Sequence, residues 1–200
     1  MNRRITVEIA EQLPIDVLEY ARIPIAYEVR EVLDVVATAS GLGGLTLLER
    51  RLDRPYMKDY DAMAGEGPLT WPGRFDLANW RIFTAHVGQQ HVGGAAVILN
   101  ASDVDMLEGC SDLALIWDIR VSPEARGLGV GSALFRSVEK WSKLRGGSRL
   151  KVETQNTNVP ACRFYARQGC LLGAINRFAY RDLPDEAQLL WYKDLGSSAG

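Results

Sequence analysis

The sequence predicts a mixed α/β (α+β) fold, in which helices flank a central sheet. In residues 116–135 an apolar strand pattern leads into a glycine-rich turn and then into apolar residues at helical spacing. Two apolar runs, residues 80–87 and 92–99, flank a short turn and predict an antiparallel hairpin. A later strand, residues 150–154, can lie parallel to residues 113–121, because a helix connects the two.

The first third of the chain carries weaker patterns. Residues 4–10 alternate and predict a short strand, and residues 14–20 predict one helical turn. Residues 23–36 are rich in β-branched side chains and predict an early strand, although residues 33–36 would also suit a helix. Residues 47–64 mix charged and aromatic side chains, and we expect them to be helical in part.

Glycine and proline mark the loops. Residues 40–44 interrupt the early pattern, and residues 65–73 predict a loop whose Trp71 either covers a core edge or lines a substrate mouth. Inside the hairpin, Gly93 and Gly94 predict a bulge or a close backbone approach.

The remaining elements follow the glycine-rich turn. The first helix should end near Leu144, because Gly146 follows it. Pro160 suits the first turn of a second helix, which Gly169 would end. Residues 170–180 and 188–192 predict a final antiparallel pair, separated from the second helix by that glycine.

Composition indicates one ordinary globular domain. The chain has 200 residues and a net charge of −2, which implies no surface for nucleic acid. The apolar runs are too short to cross a bilayer, and Glu8 and Glu11 stand where a signal peptide would be apolar. The three cysteines lack C-x-x-C spacing, so we expect reduced thiols, no metal site and a cytoplasmic location.

The glycine-rich turn favours an anionic ligand. Backbone N–H groups at a helix N-terminus attract phosphate, and Gly127, Gly129 and Gly131 leave room for it to approach. No lysine follows Gly131 as in a P-loop, and the alternating glycines lack G-x-G-x-x-G spacing. A glycine-rich connection without a ligand is the alternative.

Two motifs resemble those of the GNAT acetyltransferase superfamily. Arg126-x-x-Gly129-x-Gly131 is similar to the R/Q-x-x-G-x-G/A signature, and residues 158–169 resemble the N-x-x-A-x-x-x-Y-x-x-x-G segment. The resemblance covers residues 80–195, with residues 1–79 as a divergent part of one domain, 1–200. It implies the GNAT fold, with a splayed parallel strand pair in a mixed sheet, and acetyl-CoA as cosubstrate.

Residues 115–121, 152–162 and 172–175 are most similar to streptothricin acetyltransferases, as is the later Trp191-Tyr192. This resemblance implies a small cationic amine as acceptor and a role in antibiotic resistance, and it is compatible with a homodimer. Acetylation of a polyamine or of a protein N-terminus is an alternative. A non-catalytic module that only binds acetyl-CoA is another.

The resemblance also implies an acetyl-CoA site and a general acid. Tyr165 would protonate the leaving thiolate, unless it is a core tyrosine. Asn158 would bind the pantetheine arm, cap the second helix, or do both. The backbone of Ile119 and Val121 would face the pantetheine. The full predicted acetyl-CoA site is Ile119, Val121, Arg126, Gly127, Leu128, Gly129, Val130, Gly131, Ser132, Asn158 and Tyr165.

Asp118 and Glu153 are the candidate catalytic bases, because carboxylates on central strands are costly to bury unless they are used or paired. Structural ion pairs with Arg120 and Lys151 are the alternatives. Residues 103–118 hold five carboxylates and no Lys or Arg, so they either attract a cationic substrate or form a solvated acidic loop.

The two histidines, His86 and His91, flank the hairpin turn. We expect them to be surface or sheet residues rather than ligands.

Overall fold

The computed structural model describes residues 6–13 and 17–196. Its helices are α1 (Val17–Ala21), α2 (Trp71–Arg74), α3 (Val130–Leu144) and α4 (Val159–Arg167). Its strands are β1 (Glu8–Gln12), β2 (Tyr27–Ala37), β3 (Leu45–Lys58), β4 (Trp80–Val87), β5 (Gln90–Leu99), β6 (Leu113–Val121), β7 (Arg149–Gln155), β8 (Leu171–Asn176) and β9 (Gln188–Asp194). The fold is a mixed α/β one, with a mostly antiparallel sheet that includes a parallel pair and is flanked by helices, which confirms the predicted fold class.

The chain forms two compact units. The first comprises the described residues of Met1–Ala26, Asp59–Leu150 and Asp194–Gly200, and the second comprises Tyr27–Lys58 and Lys151–Lys193. A single domain over residues 1–200 therefore stays a prediction. The expected first strand and helical turn are present as β1 and α1, while residues 4, 5 and 14–16 lie outside the described residues.

Strands of the first unit pair in the order β1-β4-β5-β6, and all three pairings are antiparallel. The predicted hairpin is β4 and β5, and β6 spans the predicted residues. Helix α3 packs against β5 and β6 and buries Val130, Leu134, Val138 and Trp141 of its predicted apolar positions, whereas Leu144 at its last turn is exposed. Trp71 is buried in the core beside Tyr20 and Trp80, so it covers the core rather than a substrate mouth.

Glycines 93 and 94 confirm the predicted bulge and close approach. The register of β4 and β5 shifts beside Gly93. A Cβ at Gly94 would stand 2.5 Å from the ring of Tyr20, and one at Gly93 would stand 2.8 Å from the Arg120 carbonyl oxygen. The missing side chain of Gly94 thus lets the Tyr20 ring, on α1, lie directly on β5.

In the second unit, β2 and β3 form a long antiparallel ribbon. The strand prediction for residues 23–36 is confirmed from Tyr27 onward, but the partial helix expected over residues 47–64 is wrong, because Leu45–Lys58 is strand. Most of β3 is exposed, so it carries charged residues on both faces instead of an alternating pattern. Cross-strand pairing with β2 decides its conformation, and a local pattern does not contain that information.

The rest of the second unit contains α4 and the strands β7, β9 and β8, adjacent in that order, with β8 antiparallel to β9. Pro160 lies in the first turn of α4, and Gly169 follows the helix at a φ of +84°, as predicted. Arg163 on α4 donates to Glu31 and Glu49 at 2.5 Å each and so links the helix to the β2–β3 ribbon.

Replacing Gly94 with alanine should destabilise the protein by about 1–3 kcal/mol, because the new methyl group overpacks a buried ring. Gly73→Ala is the matched control: its Cβ would meet no atom within 4 Å, and neither glycine has a positive φ. That change should alter stability by less than about 1 kcal/mol. Urea unfolding of both variants measures the difference, and equal unfolding midpoints would contradict the close approach.

Candidate active site

The glycine-rich turn connects β6 to α3 in the first unit. Gly127 and Gly129 have φ values of +79° and +84°, which L side chains rarely adopt, and a Cβ on either would meet no atom within 4 Å. Gly129 is the N-cap residue of α3, and its N-terminus has no side-chain cap. An open turn without side chains, in front of an uncapped helix N-terminus, fits a phosphate group of a nucleotide cosubstrate.

Arg126 stabilises the turn through protein contacts. Its guanidinium donates to the carbonyl oxygens of Val121, at 3.1 Å, and Ala26, at 2.9 Å. Of the other predicted residues here, Leu128 is exposed, whereas the side chain of Val130 is buried, so Val130 can offer a ligand only its backbone. Ile119 and Val121 are half-buried on β6, where they pair with Ala95 and Gly93 of β5.

Asp118 on β6 belongs to a cluster around Arg120. Arg120 donates to both oxygens of Asp118, at 2.9 and 2.5 Å, and to both oxygens of Asp61, at 2.7 and 3.2 Å. It also donates to the carbonyl oxygen of Ile23 at 3.0 Å, and the hydroxyl of Tyr20 donates to Asp118 at 2.6 Å. The ion pair that the sequence offered as an alternative role for Asp118 is therefore present.

Charge and burial keep Arg120 and Tyr20 of this cluster protonated. Burial disfavours a charged guanidinium, but the adjacent charge of Asp118 and hydrogen bonds to Asp118 and Asp61 raise the pKa of Arg120 above its ordinary value. Burial, and then the charge of Asp118, raise the pKa of Tyr20 well above its ordinary value. Arg120 thus stays cationic and Tyr20 stays a hydrogen-bond donor at neutral pH.

Glu153 on β7 lies in a different environment, within the second unit. Its Oε1 accepts from the Tyr180 hydroxyl at 2.5 Å and from Gln155 Nε2 at 3.3 Å, and its Oε2 accepts from Gln188 Nε2 at 2.7 Å. Gln155 also donates to the Tyr180 oxygen, at 2.8 Å. We call Glu153, Gln155, Tyr180 and Gln188 the Glu153 network.

Tyr180 keeps its proton in this network. Burial first, and then the charge of Glu153 and the hydrogen bond to it, raise the pKa of Tyr180 well above its ordinary value. Its hydroxyl therefore remains a donor to Glu153 over the whole physiological range.

The residues predicted on the second helix both lie on α4. The Asn158 side chain accepts from the backbone N–H of Ala161 at 3.2 Å, so the capping role is present. Tyr165 is buried, and its ring meets Phe164 edge-on at 5.1 Å between centroids.

The carboxylates of residues 103–118 do not form one patch of unpaired charges. Asp103 accepts from the backbone N–H of Asp76 at 2.8 Å, Asp112 accepts from the Ser148 hydroxyl at 2.6 Å, and Asp118 is bound to Arg120. Most of its charge is therefore engaged locally.

His86 and His91 stack at 5.1 Å in the β4–β5 hairpin, and His91 Nε2 donates to the carbonyl oxygen of Gly93 at 2.9 Å, as expected of sheet residues. Within residues 6–13 and 17–196, no group of three or more His, Cys, Asp or Glu side chains could hold a metal ion. In the same part of the chain, no helix has the length and apolar character needed to span a bilayer.

Two members of the Arg120 cluster, Tyr20 and Asp61, and two partners of Glu153, Tyr180 and Gln188, were not predicted from the sequence. Their hydrogen bonds to Asp118, Arg120 and Glu153 span 98, 59, 27 and 35 positions of the chain, and none of the four belongs to a motif. Gln155 alone carried a usable signal, because residues two apart on a strand share a face.

Comparisons with known proteins identify the family of the chain. The profile of the acetyltransferase (GNAT) family matches residues 50–170. A streptothricin acetyltransferase from Escherichia coli is 32% identical over 169 residues, which are 82% of this chain and 83% of that protein. This match is longer than the 80–195 segment on which the resemblance rested.

Two crystal structures share the fold. That of a nourseothricin acetyltransferase is 25% identical, with a TM-score of 0.73 over 94% of this chain and 98% of its own. That of a Bacillus anthracis protein in complex with acetyl coenzyme A is 24% identical, with a TM-score of 0.73 over 94% and 99%. The chain belongs to the acetyltransferase (GNAT) family and is an acetyl-CoA-dependent N-acetyltransferase.

Proposed function

We propose that this enzyme acetylates an amino group of a streptothricin-type antibiotic and thereby confers resistance to it. The observation that carries the proposal is the 32% identity to the Escherichia coli streptothricin acetyltransferase, which extends over 82% of the chain. A match of that length includes residues outside the acetyl-CoA motifs, and those residues help to select the acceptor.

The glycine-rich turn is the proposed site for the pyrophosphate of acetyl-CoA. Gly127, Leu128, Gly129, Val130, Gly131 and Ser132 would offer backbone N–H groups, with Arg126 as their support. The backbones of Ile119 and Val121 and the side chain of Asn158 are proposed to bind the pantetheine arm. Because Asn158 already caps α4 through Oδ1, its Nδ2 donors are the groups left for a ligand.

Acetyl transfer requires that an ammonium group lose two protons. One passes to a base and then to solvent. The nitrogen then forms a bond to the acetyl carbon, the carbon–sulfur bond breaks, and the nitrogen loses its second proton. The departing thiolate takes up one proton, so the net reaction releases one proton. We assign Tyr165 as the acid that protonates the thiolate.

Of the two candidate bases, Glu153 is the better one. The charge of Asp118 is matched by a bidentate guanidinium, so this carboxylate is already engaged in a structural ion pair. Glu153 accepts from neutral donors, so its charge is not compensated by a cation of its network. Asp118 is then a structural residue of β6.

The alternatives are a polyamine or a protein N-terminus as acceptor, or a module that binds acetyl-CoA without turnover. We also propose a cytoplasmic location, which the free thiols of Cys110, Cys162 and Cys170 support, since cytoplasmic thiols stay reduced. A homodimer stays a prediction.

Thiol release in the presence of acetyl-CoA and a panel of amines tests the acceptor. We expect the highest kcat/KM with streptothricin, a lower kcat/KM with spermidine, and the lowest with a peptide N-terminus. Faster release with the peptide than with streptothricin would refute the antibiotic as acceptor, and no release with any amine would favour the binding module.

Gly129→Leu should abolish the stabilisation of the protein by acetyl-CoA, because a side chain would block the approach of the pyrophosphate. For the wild type, a concentration of about 100 times Kd should raise Tm by roughly 5–10 °C. Thermal melts with and without acetyl-CoA provide the measurement.

Gly146→Leu is the matched control for that variant. Gly146 follows the opposite end of α3, with the same φ of +84° and the same open space around its Cβ. A leucine at either position has the same unfavourable positive φ, which costs about 1–2 kcal/mol in both variants. The control should keep the full acetyl-CoA shift, and a full shift in Gly129→Leu as well would exclude the turn as the pyrophosphate site.

Tyr165→Phe should lower kcat by roughly 100-fold or more and leave the KM for acetyl-CoA nearly unchanged, because the phenol acts on a sulfur that gains charge only as its bond breaks. The change keeps the ring contact with Phe164. Steady-state kinetics with chemistry rate-limiting provide the measurement. If kcat were unchanged, Tyr165 would be a packing residue.

A further inference from the structure

Glu153 differs from the other carboxylates of its unit that are withdrawn from solvent. Glu31 pairs with Arg163, Asp34 with Arg50, and Glu186 with Lys58. Glu153 is half-buried too, yet within the described residues its hydrogen bonds come from a phenol and two amides, and no Lys or Arg forms an ion pair with it. A carboxylate withdrawn from water without a cation is costly, which points to a cation that binds there.

The Glu153 network also leaves room for a further donor. A carboxylate has about four lone-pair sites. Oε1 accepts from Tyr180 and Gln155, whereas Oε2 accepts from Gln188 alone. Oε2 therefore retains an acceptor site, and the two anchored oxygens fix its direction.

We propose that Glu153 binds the protonated primary amine of the acceptor through Oε2, and that Tyr180 and Gln188 are positioning residues that hold the carboxylate for it. The inference rests on the proposed N-acetyl transfer and extends it to the recognition of the acceptor. The bound group is an alkylammonium, whose positive charge compensates Glu153 when both leave water. One proton then passes from the ammonium nitrogen to Oε2, and the nitrogen lone pair becomes available for attack.

A second carboxylate of this unit, Glu186, is compensated by its own chain. It is buried and pairs with Lys58, so it needs no ligand cation. Burial first, and then the charge of Glu153, raise the pKa of Tyr180, so its phenol gives Glu153 a donor without adding positive charge. The charge left for a cationic ligand to compensate is therefore that of Glu153.

The test compares Tyr180→Phe with Tyr192→Phe in steady-state kinetics, with the KM measured for each of the two substrates. Tyr192→Phe is the matched control, because it removes the same hydroxyl oxygen. That hydroxyl makes no hydrogen bond to the part of the chain that the structure describes, and the Tyr192 ring lies 5.8 Å from Lys151 Nζ. Tyr180→Phe should raise the KM for the acceptor about tenfold and leave that for acetyl-CoA unchanged, since one donor to the anchored carboxylate is lost. Tyr192→Phe should match the wild type.

The comparison of the two substrates separates positioning from a merely structural role. Loss of a structural residue would raise the KM for both substrates, whereas loss of a donor to the Glu153 carboxylate should raise the KM for the acceptor alone. Gln188→Met, which removes the donor to Oε2, should have the same effect and serves if Tyr180→Phe does not fold. An acceptor KM that stays at the wild-type value in a folded variant, or a KM that rises equally for both substrates, would overturn the proposal.

Direct binding distinguishes this inference from the proposed function. If streptothricin is not acetylated but another amine is, the same variants are assayed with that amine. If no amine is turned over, streptothricin is titrated by calorimetry into wild type and Glu153→Gln, each saturated with CoA. Binding that is lost in Glu153→Gln supports the ammonium site, and absence of binding to the wild type, or equal binding to both, overturns it.

Discussion

A buried guanidinium constrains the first unit. The side chain of Arg120 is 1% exposed, and a cation so far from water requires compensation in every direction. Asp118 provides it from the same strand, Asp61 from the segment after β3, the carbonyl of Ile23 from the end of α1, and the Tyr20 ring from 5.2 Å. One charge therefore fixes where two separate segments of the unit, α1 with its end and the segment after β3, meet the central strand.

The same rule distinguishes the surroundings of two carboxylates on strands. Asp118 meets a cation of its own chain, which compensates its charge. Glu153 meets neutral donors, which orient it and leave the charge to be matched by something else. Both carboxylates lie on strands and both are shielded from solvent. The two carboxylates thus differ in whether the chain supplies the counter-charge, and that difference underlies the proposed role of Glu153.

Interactions between residues close in the sequence make much of the fold predictable. The glycine-rich turn, β6, α3 and the cap of α4 depend on residues within a few positions of each other, so they are predictable from the sequence. Strand β3 was not predicted because its conformation depends on pairing with β2, and its mix of charged and aromatic side chains does not alternate. Tyr180 and Asp61 were missed for the same reason: each reaches its partner only after the chain has folded, over separations of 27 and 59 positions.

The contact between Gly94 and Tyr20 has an evolutionary consequence. An aromatic ring on α1 occupies the space that a side chain on β5 would need, so position 94 cannot gain a side chain while position 20 keeps its ring. Drift at these two sites is therefore coupled: descendants accommodate a larger residue at position 94 only where position 20 has already become small. Since the hydroxyl of Tyr20 also donates to Asp118, such a pair of substitutions would leave the Asp118 carboxylate to Arg120 and remove a hydrogen bond between α1 and β6.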